Sequence, residues 1–171
     1  MIVSEKVILR AWCSEDINSI KNIRNDTHLQ GMLMSQPKPS SYDRVTDWLR
    51  TKSENTDEIF FIIADRQSDQ AIGYLQIVNI KHLHGTAELG ICISPDMQSK
   101  GYGKSAILGI EDYLQNIFNI RKLVLFVLKD NTDAFSFYIR LGFLEAGLLK
   151  KHFYLNKEYK DVIIMDKLLT Q

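Results

Sequence analysis

A chain of 171 residues, 45% hydrophobic and 25% charged, holds enough apolar material for one core and shows no bias toward disorder or repeats. Lys plus Arg and Asp plus Glu number 21 each, so no overall field draws the chain to nucleic acid. Its two cysteines, Cys13 and Cys92, sit in no metal-ligand spacing, Met1 to Lys6 lack a signal-peptide core, and the longest apolar runs, 59–64 and 123–128, are too short to span a bilayer. The expectation is a cytoplasmic soluble protein without a membrane partner.

Residues 7–9 read as a first strand. Ser14 is then expected to cap a helix whose Ile17, Ile20 and Ile23 recur at helical spacing. Residues 27–41, with Pro37 and Pro39, read as irregular, and Ser40-x-x-Asp43 resembles a capping box for a helix carrying Val45, Trp48 and Leu49. Residues 59–64 and 72–80 look like paired strands around a 65–70 loop, and 88–93 is a further strand stopped by Ser94-Pro95-Asp96. Ile107, Ile110, Leu114 and Ile117 mark one face of a helix over 104–118. A strand over 122–128 follows, then a short helix through Ala134, Phe135, Tyr138 and Leu141 that Gly142 ends. A final hairpin joins 148–155 to 160–168 across Asn156-Lys157-Glu158. No composition break divides the chain, so 1–171 reads as one mixed α/β domain.

The strongest local signal is Gln98-Ser99-Lys100-Gly101-Tyr102-Gly103-Lys104, between a strand and a long helix. Glycines let backbone N–H groups approach a ligand, and a helix N-terminus adds partial positive charge, so the segment suits a pyrophosphate. Lys100 and Lys104 add formal charge. A ligand-free glycine connection is the bland alternative. A dinucleotide fingerprint is the sharper one, since Gly101-x-Gly103-x-x-Ala106 fits its relaxed form and Asp130 ends the next strand. That fingerprint runs directly from strand into glycine turn, whereas here residues 94–100 intervene. Cys92, in an apolar strand, reads as a small buried hydrophobe. His82 and His84 have no third ligand nearby, and no metal is assigned.

With Gln98-x-x-Gly101-x-Gly103 opening a helix, and Asn131-x-x-Ala134-x-x-x-Tyr138-x-x-x-Gly142-Phe143 about 30 residues downstream, the chain resembles the GNAT acetyltransferase superfamily. Val7-x-Leu9-Arg10 resembles the family's usual start. Lys157-Glu158-Tyr159-x-Asp161-Val162 is similar to the ending of the branch with ribosomal-protein N-terminal, spermidine and amino-sugar acetyltransferases. The resemblance implies a mostly antiparallel central sheet, splayed at its fourth and fifth strands and flanked by about four helices. It implies acetyl-CoA as cosubstrate, with Ile91, Cys92 and Ile93 offering backbone groups to its pantetheine arm and an N–H to the oxyanion. The 98–104 loop would hold the pyrophosphate, and Asn131, Ala134 and Phe137 would line the arm. Tyr138 stands where the family places the acid that protonates the leaving thiolate, with a packing residue as the alternative. Glu88, two positions before Gly90 on the face of Cys92, stands where many members keep a base.

Polyamine enzymes of this branch carry clustered acids in the early helical segment, but 27–42 contains none. Lys150 and His152 share a face of the last hairpin by alternation and would suit an anionic acceptor, and Arg24-Asn25 resembles amino-sugar acetyltransferases of the pseudaminic acid type. The expected acceptor is a nucleotide-linked amino sugar or another anionic small-molecule amine. A protein N-terminus, a non-catalytic acetyl-CoA-binding module and an NAD-binding protein are the alternatives. A homodimer is compatible with all of them.

Overall fold

A computed structural model describes residues 1–169. Eight strands form one sheet in the order β1-β2-β3-β4-β5-β6-β8-β7. They are β1 (Ile2–Val3), β2 (Val7–Arg10), β3 (Ile59–Asp65), β4 (Ala71–Lys81), β5 (Thr86–Ile93), β6 (Lys122–Leu128), β7 (Leu144–Leu155) and β8 (Glu158–Leu168). The helices are α1 (Ile17–Asn25), α2 (Thr27–Met32), α3 (Tyr42–Glu54), α4 (Tyr102–Phe118) and α5 (Thr132–Arg140). The small β1 shifts the count, so the strands expected to splay as fourth and fifth are β5 and β6.

Every neighbouring pair is antiparallel except β5 and β6, which the crossover through α4 forces to run parallel. That pair holds only through Thr86↔Lys122, Ala87↔Leu123 and Glu88↔Val124. Beyond Glu88, β5 stays with β4 as far as Gly73↔Ile93, while β6 stays with β8 as far as Leu128↔Val162. The two strands therefore part, and a cleft opens whose walls carry backbone groups with no partner strand.

Alternation along the strands fills two cores. Leu9, Leu75, Ile77, Ala87 and Leu89 face Ile107, Ile110 and Leu114 of α4, with Phe143 closing that side. Ile62, Tyr74 and Cys92 face Ile17, Ile20 and Ile23 of α1 and Val45 and Leu49 of α3. Ile117 was expected on the buried face of α4 but is 65% exposed; Phe118, four residues after Leu114, packs on the core instead. Among the described residues no helix is long and apolar enough to cross a membrane.

Three local expectations are corrected. Ser14 does not cap α1: it opens a 3₁₀ turn, Ser14–Asp16, and its hydroxyl bonds the Glu15 carboxylate at 3.0 Å. Ser41, not Ser40, caps α3 by accepting from the Arg44 N–H at 3.2 Å, while Ser40 is buried and paired through its backbone with the Asn25 side chain. Within 27–41 the chain makes α2, because the Asp26 carboxylate accepts the Leu29 N–H at 2.9 Å and supplies the cap.

The entry to α1 rests on a buried ion pair. Asp16, 2% exposed, accepts two bonds from the Arg10 guanidinium, at 2.8 and 3.0 Å, and one from the Cys13 N–H at 2.8 Å. Burial pushes the Asp16 carboxyl up, but Arg10 and the Cys13 N–H together outweigh it and hold the pKa below the usual carboxylate range. A depressed folded pKa contributes stability that is present above the unfolded value, near ~3.9, and is lost as pH falls through the folded value. Asp16→Asn is expected to cost about 3 kcal/mol at pH 7 by urea unfolding, with the gap to wild type closing below about pH 4. An unchanged urea midpoint at pH 7 would contradict the role given to this pair.

Candidate active site

Between β5 and α4 the chain makes a 3₁₀ turn, Pro95–Met97, then the glycine loop. Gln98 folds back, its Nε2 donating to the Ile93 carbonyl at 2.9 Å, which ties the loop to the strand end. Gly101, at φ +86°, is the N-cap of α4, a left-handed conformation that a residue with Cβ adopts poorly. No side chain caps that end and no acid lies in the first turn, so the N–H groups of Tyr102, Gly103 and Lys104 are left to water or an anion. Ser99, Lys100 and Lys104 are exposed around it.

Two contacts that sequence reasoning missed anchor the loop from beneath. Lys6 donates its Nζ to the Lys100 carbonyl at 2.8 Å, and the Tyr102 hydroxyl donates to Asp65 at 2.8 Å. Tyr102 thus turns its ring toward the end of β3, leaving only its backbone for a ligand. Nothing in the local pattern marks Lys6, which lies 94 residues before its acceptor.

Gly103 serves a purpose beyond ligand approach. A Cβ there would stand 3.1 Å from the Phe137 ring, so the bare α-carbon lets α5 close on the start of α4. Asn131 caps α5, its Oδ1 accepting the Ala134 N–H at 3.3 Å, and Ala134 and Phe137 pack against the α4-side core. The two sequence blocks meet in space.

Tyr138 comes from the same helix. Its ring lies 5.2 Å from that of Phe137 and 5.6 Å from that of Phe143, and among the described residues its hydroxyl has no hydrogen-bond partner. Burial first, and the Cys92 thiol second, push the phenol up to about 12, so it stays protonated at any working pH. Cys92 is itself pushed up to about 12, by burial.

Glu88 is the last residue of β5 paired with β6, half-buried at the base of the cleft. It shares strand parity with Cys92, whose core lies under α1 and α3, while Tyr138 packs on the α4-side core. Asn79, in a bulge of β4 with φ 51°, donates to Glu88 Oε2 at 2.7 Å. Nothing in the local sequence marks that orienting amide. Ile91 and Ile93 point into the α4-side core, leaving their backbone at the cleft.

On the α1–α3 side, Arg24 lies over the Trp48 ring, its Cζ 4.0 Å from the centroid. Asn25 is engaged with Ser40. α2 approaches the last hairpin, where a Cβ on Gly31 would meet Leu155 at 2.9 Å. Lys150, Lys151 and His152 are all exposed, but the expected alternation fails. The β7–β8 register shifts between Leu149 and Phe153, with Lys151 at φ 49° and its N–H held by Asp161 at 2.9 Å. A bulge, not a flat strand face, carries Lys150 and His152. Among the described residues no group of three or more His, Cys, Asp or Glu could hold a metal ion.

The sheet, its cleft and the capless helix end are those of an acyl-group transferase. Residues 6–144 match the acetyltransferase (GNAT) domain model, and the chain belongs to that family as an acetyl-CoA-dependent N-acetyltransferase. It is 29% identical over 160 residues to spermidine N(1)-acetyltransferase of Vibrio cholerae, covering 94% of this chain and 91% of that one. It is 24% identical to ribosomal-protein-serine acetyltransferase of Escherichia coli, over 98% and 95% of the two chains. A crystal structure of the Vibrio cholerae spermidine N-acetyltransferase, in complex with CoA and spermine, superposes with a TM-score of 0.86 at 30% identity, covering 96% of each chain.

Gly103→Val is expected to push Phe137 away and to weaken acetyl-CoA binding at least tenfold, about 1.4 kcal/mol, by calorimetry. Unchanged affinity would remove the loop from the cofactor site.

Proposed function

We propose that the cleft between β5 and β6 holds the thioester of acetyl-CoA, and that the acceptor is a small-molecule amine bearing an anionic group, such as a nucleotide-linked amino sugar. The pyrophosphate would lie at the N-terminus of α4, on the backbone of 101–104 with Lys100 and Lys104 beside it. The pantetheine arm would run along the backbone of Ile91, Cys92 and Ile93, with Asn131, Ala134 and Phe137 on its other side. A strand N–H facing the cleft would stabilise the oxygen as the amine nitrogen attacks the acetyl carbon.

Attack needs a neutral amine. Glu88, oriented by Asn79, accepts the amine proton directly or through water. The carbon–sulfur bond then breaks, and the thiolate needs a hydrogen-bond donor. Tyr138 fits because it is protonated and its hydroxyl is uncommitted. Proton transfer from a phenol near 12 to a free thiolate, near ~8.5, runs uphill. Burial lessens that gap, because the desolvation that pushes the Cys92 thiol up would also raise a coenzyme thiol held in the cleft.

The absence of any carboxylate across 27–42, the segment that forms α2 and leads into α3, carries the anionic assignment. The exposed cations of the β7 bulge support it. A polyamine acceptor is the second reading, favoured by the spermidine acetyltransferase relatives. With thiol release as the readout, turnover of a UDP-linked amino sugar is expected to exceed that of spermidine and of a short peptide with a free N-terminus; preference for spermidine would establish the second reading. On the better acceptor, Tyr138→Phe is expected to lower kcat about 10²-fold with acetyl-CoA affinity kept, and Glu88→Gln to lose most near neutral pH and recover as alkali supplies free amine. Wild-type turnover in either variant would return that residue to a packing role.

A further inference from the structure

Arg24 is a half-buried charge that the mechanism leaves unused. It lies near the end of α1, and its guanidinium rests on Trp48. Trp48 belongs to a three-ring cluster: it meets Phe60 edge-on at 5.4 Å and Tyr74 edge-on at 5.3 Å, while Phe60 and Tyr74 stack at 5.8 Å. Such a cluster on the acceptor side would ordinarily suit a ligand's ammonium group, because aromatic faces attract cations. Here the chain's own cation already covers Trp48.

That cation is incompletely satisfied. Among the described residues, Arg24 Nε is the one buried side-chain nitrogen or oxygen without a hydrogen-bond partner, and no carboxylate forms a salt bridge with the guanidinium. The nearby acid, Asp26, spends its carboxylate on the α2 cap, and the Gln30 amide donates to the Ile23 carbonyl. Desolvation disfavours the Arg24 charge most, the Tyr74 hydroxyl beside it favours that charge, and Arg44, close enough to repel it, adds a second positive charge. A half-buried guanidinium whose Nε is shut from water without a partner carries a cost, and a ligand oxyanion beside it would relieve that cost.

We infer that Arg24 sets acceptor specificity: by covering Trp48 it bars a polyamine ammonium from the Trp48–Phe60–Tyr74 cluster, and it offers its donors to a carboxylate or phosphate of the acceptor. This rests on the acetyltransferase reading with the acceptor on the α1–α3 side. Lys would keep the charge but not the planar fork that matches an oxyanion, so the two functions can be separated.

Binding to the CoA-loaded protein, measured by calorimetry, tests the idea with four amines: glucosamine, which bears no anionic group, phosphate-bearing UDP-glucosamine, carboxylate-bearing muramic acid and polycationic spermidine. Wild type is expected to bind one of the two anionic amines at least tenfold more tightly than glucosamine, and the better arm distinguishes phosphate from carboxylate. Arg24→Gln is expected to erase that preference and to strengthen spermidine binding at least tenfold, with CoA affinity unchanged. Arg24→Lys is expected to weaken the anionic arm while still excluding spermidine, and it decides the matter should the Gln variant fail to fold. Wild type preferring spermidine, an unchanged ranking of the four amines in Arg24→Gln, or an unchanged anionic affinity in Arg24→Lys, would overturn the proposal. A uniform loss across all four amines together with CoA would also overturn it, by showing a packing role. Wild type that fails to bind CoA at all would instead sink the acetyltransferase reading beneath it.

Discussion

The short parallel contact between β5 and β6 is the constraint on which the rest depends. Three residue pairs join them, and each strand then follows its antiparallel partner away from the other. A sheet interior interrupted this way would leave backbone donors and acceptors in an apolar setting, which a folded chain tolerates only where a ligand or water completes them. The crossover through α4 sets the contact and also places the capless end of that helix beside the strand end, with Gln98 closing the connection. The proposed thioester and pyrophosphate sites are two consequences of one topological feature.

The two cores divide the labour around that cleft. Phe137, Tyr138 and Phe143 belong to the α4 side, where Gly103 lets the aromatic helix approach. Cys92, Tyr74 and the cluster under Arg24 belong to the other side. Strand parity gives Glu88 to the side of Cys92, so in the proposed mechanism a proton leaves toward one face and the donor for sulfur stands on the other. Burial ties the halves together electrostatically: it raises Tyr138 and Cys92 alike and would keep both neutral while charge develops only on reacting atoms.

Much of this was legible in the sequence wherever the pattern is local. The stretches 59–64 and 123–128 are continuous apolar runs, and the spacing of Ile107, Ile110 and Leu114 marks the buried face of α4. Gly101 and Gly103 announced the helix start. The capping pattern places the α3 cap one residue early, at Ser40, and α2 shows no pattern, because a six-residue helix has too few turns to show a period and its Asp26 cap looks like any loop acid. The pairing of Lys150 with His152 failed since a two-residue alternation assumes an unbulged strand. Lys6, Asn79 and the Trp48–Phe60–Tyr74 cluster were invisible for a different reason: each meets its partner across separate elements, and single-chain patterns carry no such register information.

Amide hydrogen exchange with and without CoA probes the cleft most directly. Binding as described would slow exchange at the β5 amides of residues 89–93 and at 102–104 on α4, while the outer edge formed by β7 keeps its rates. Protection confined to other segments, or none in β5 under saturating CoA, would contradict the placement of the coenzyme between β5 and β6.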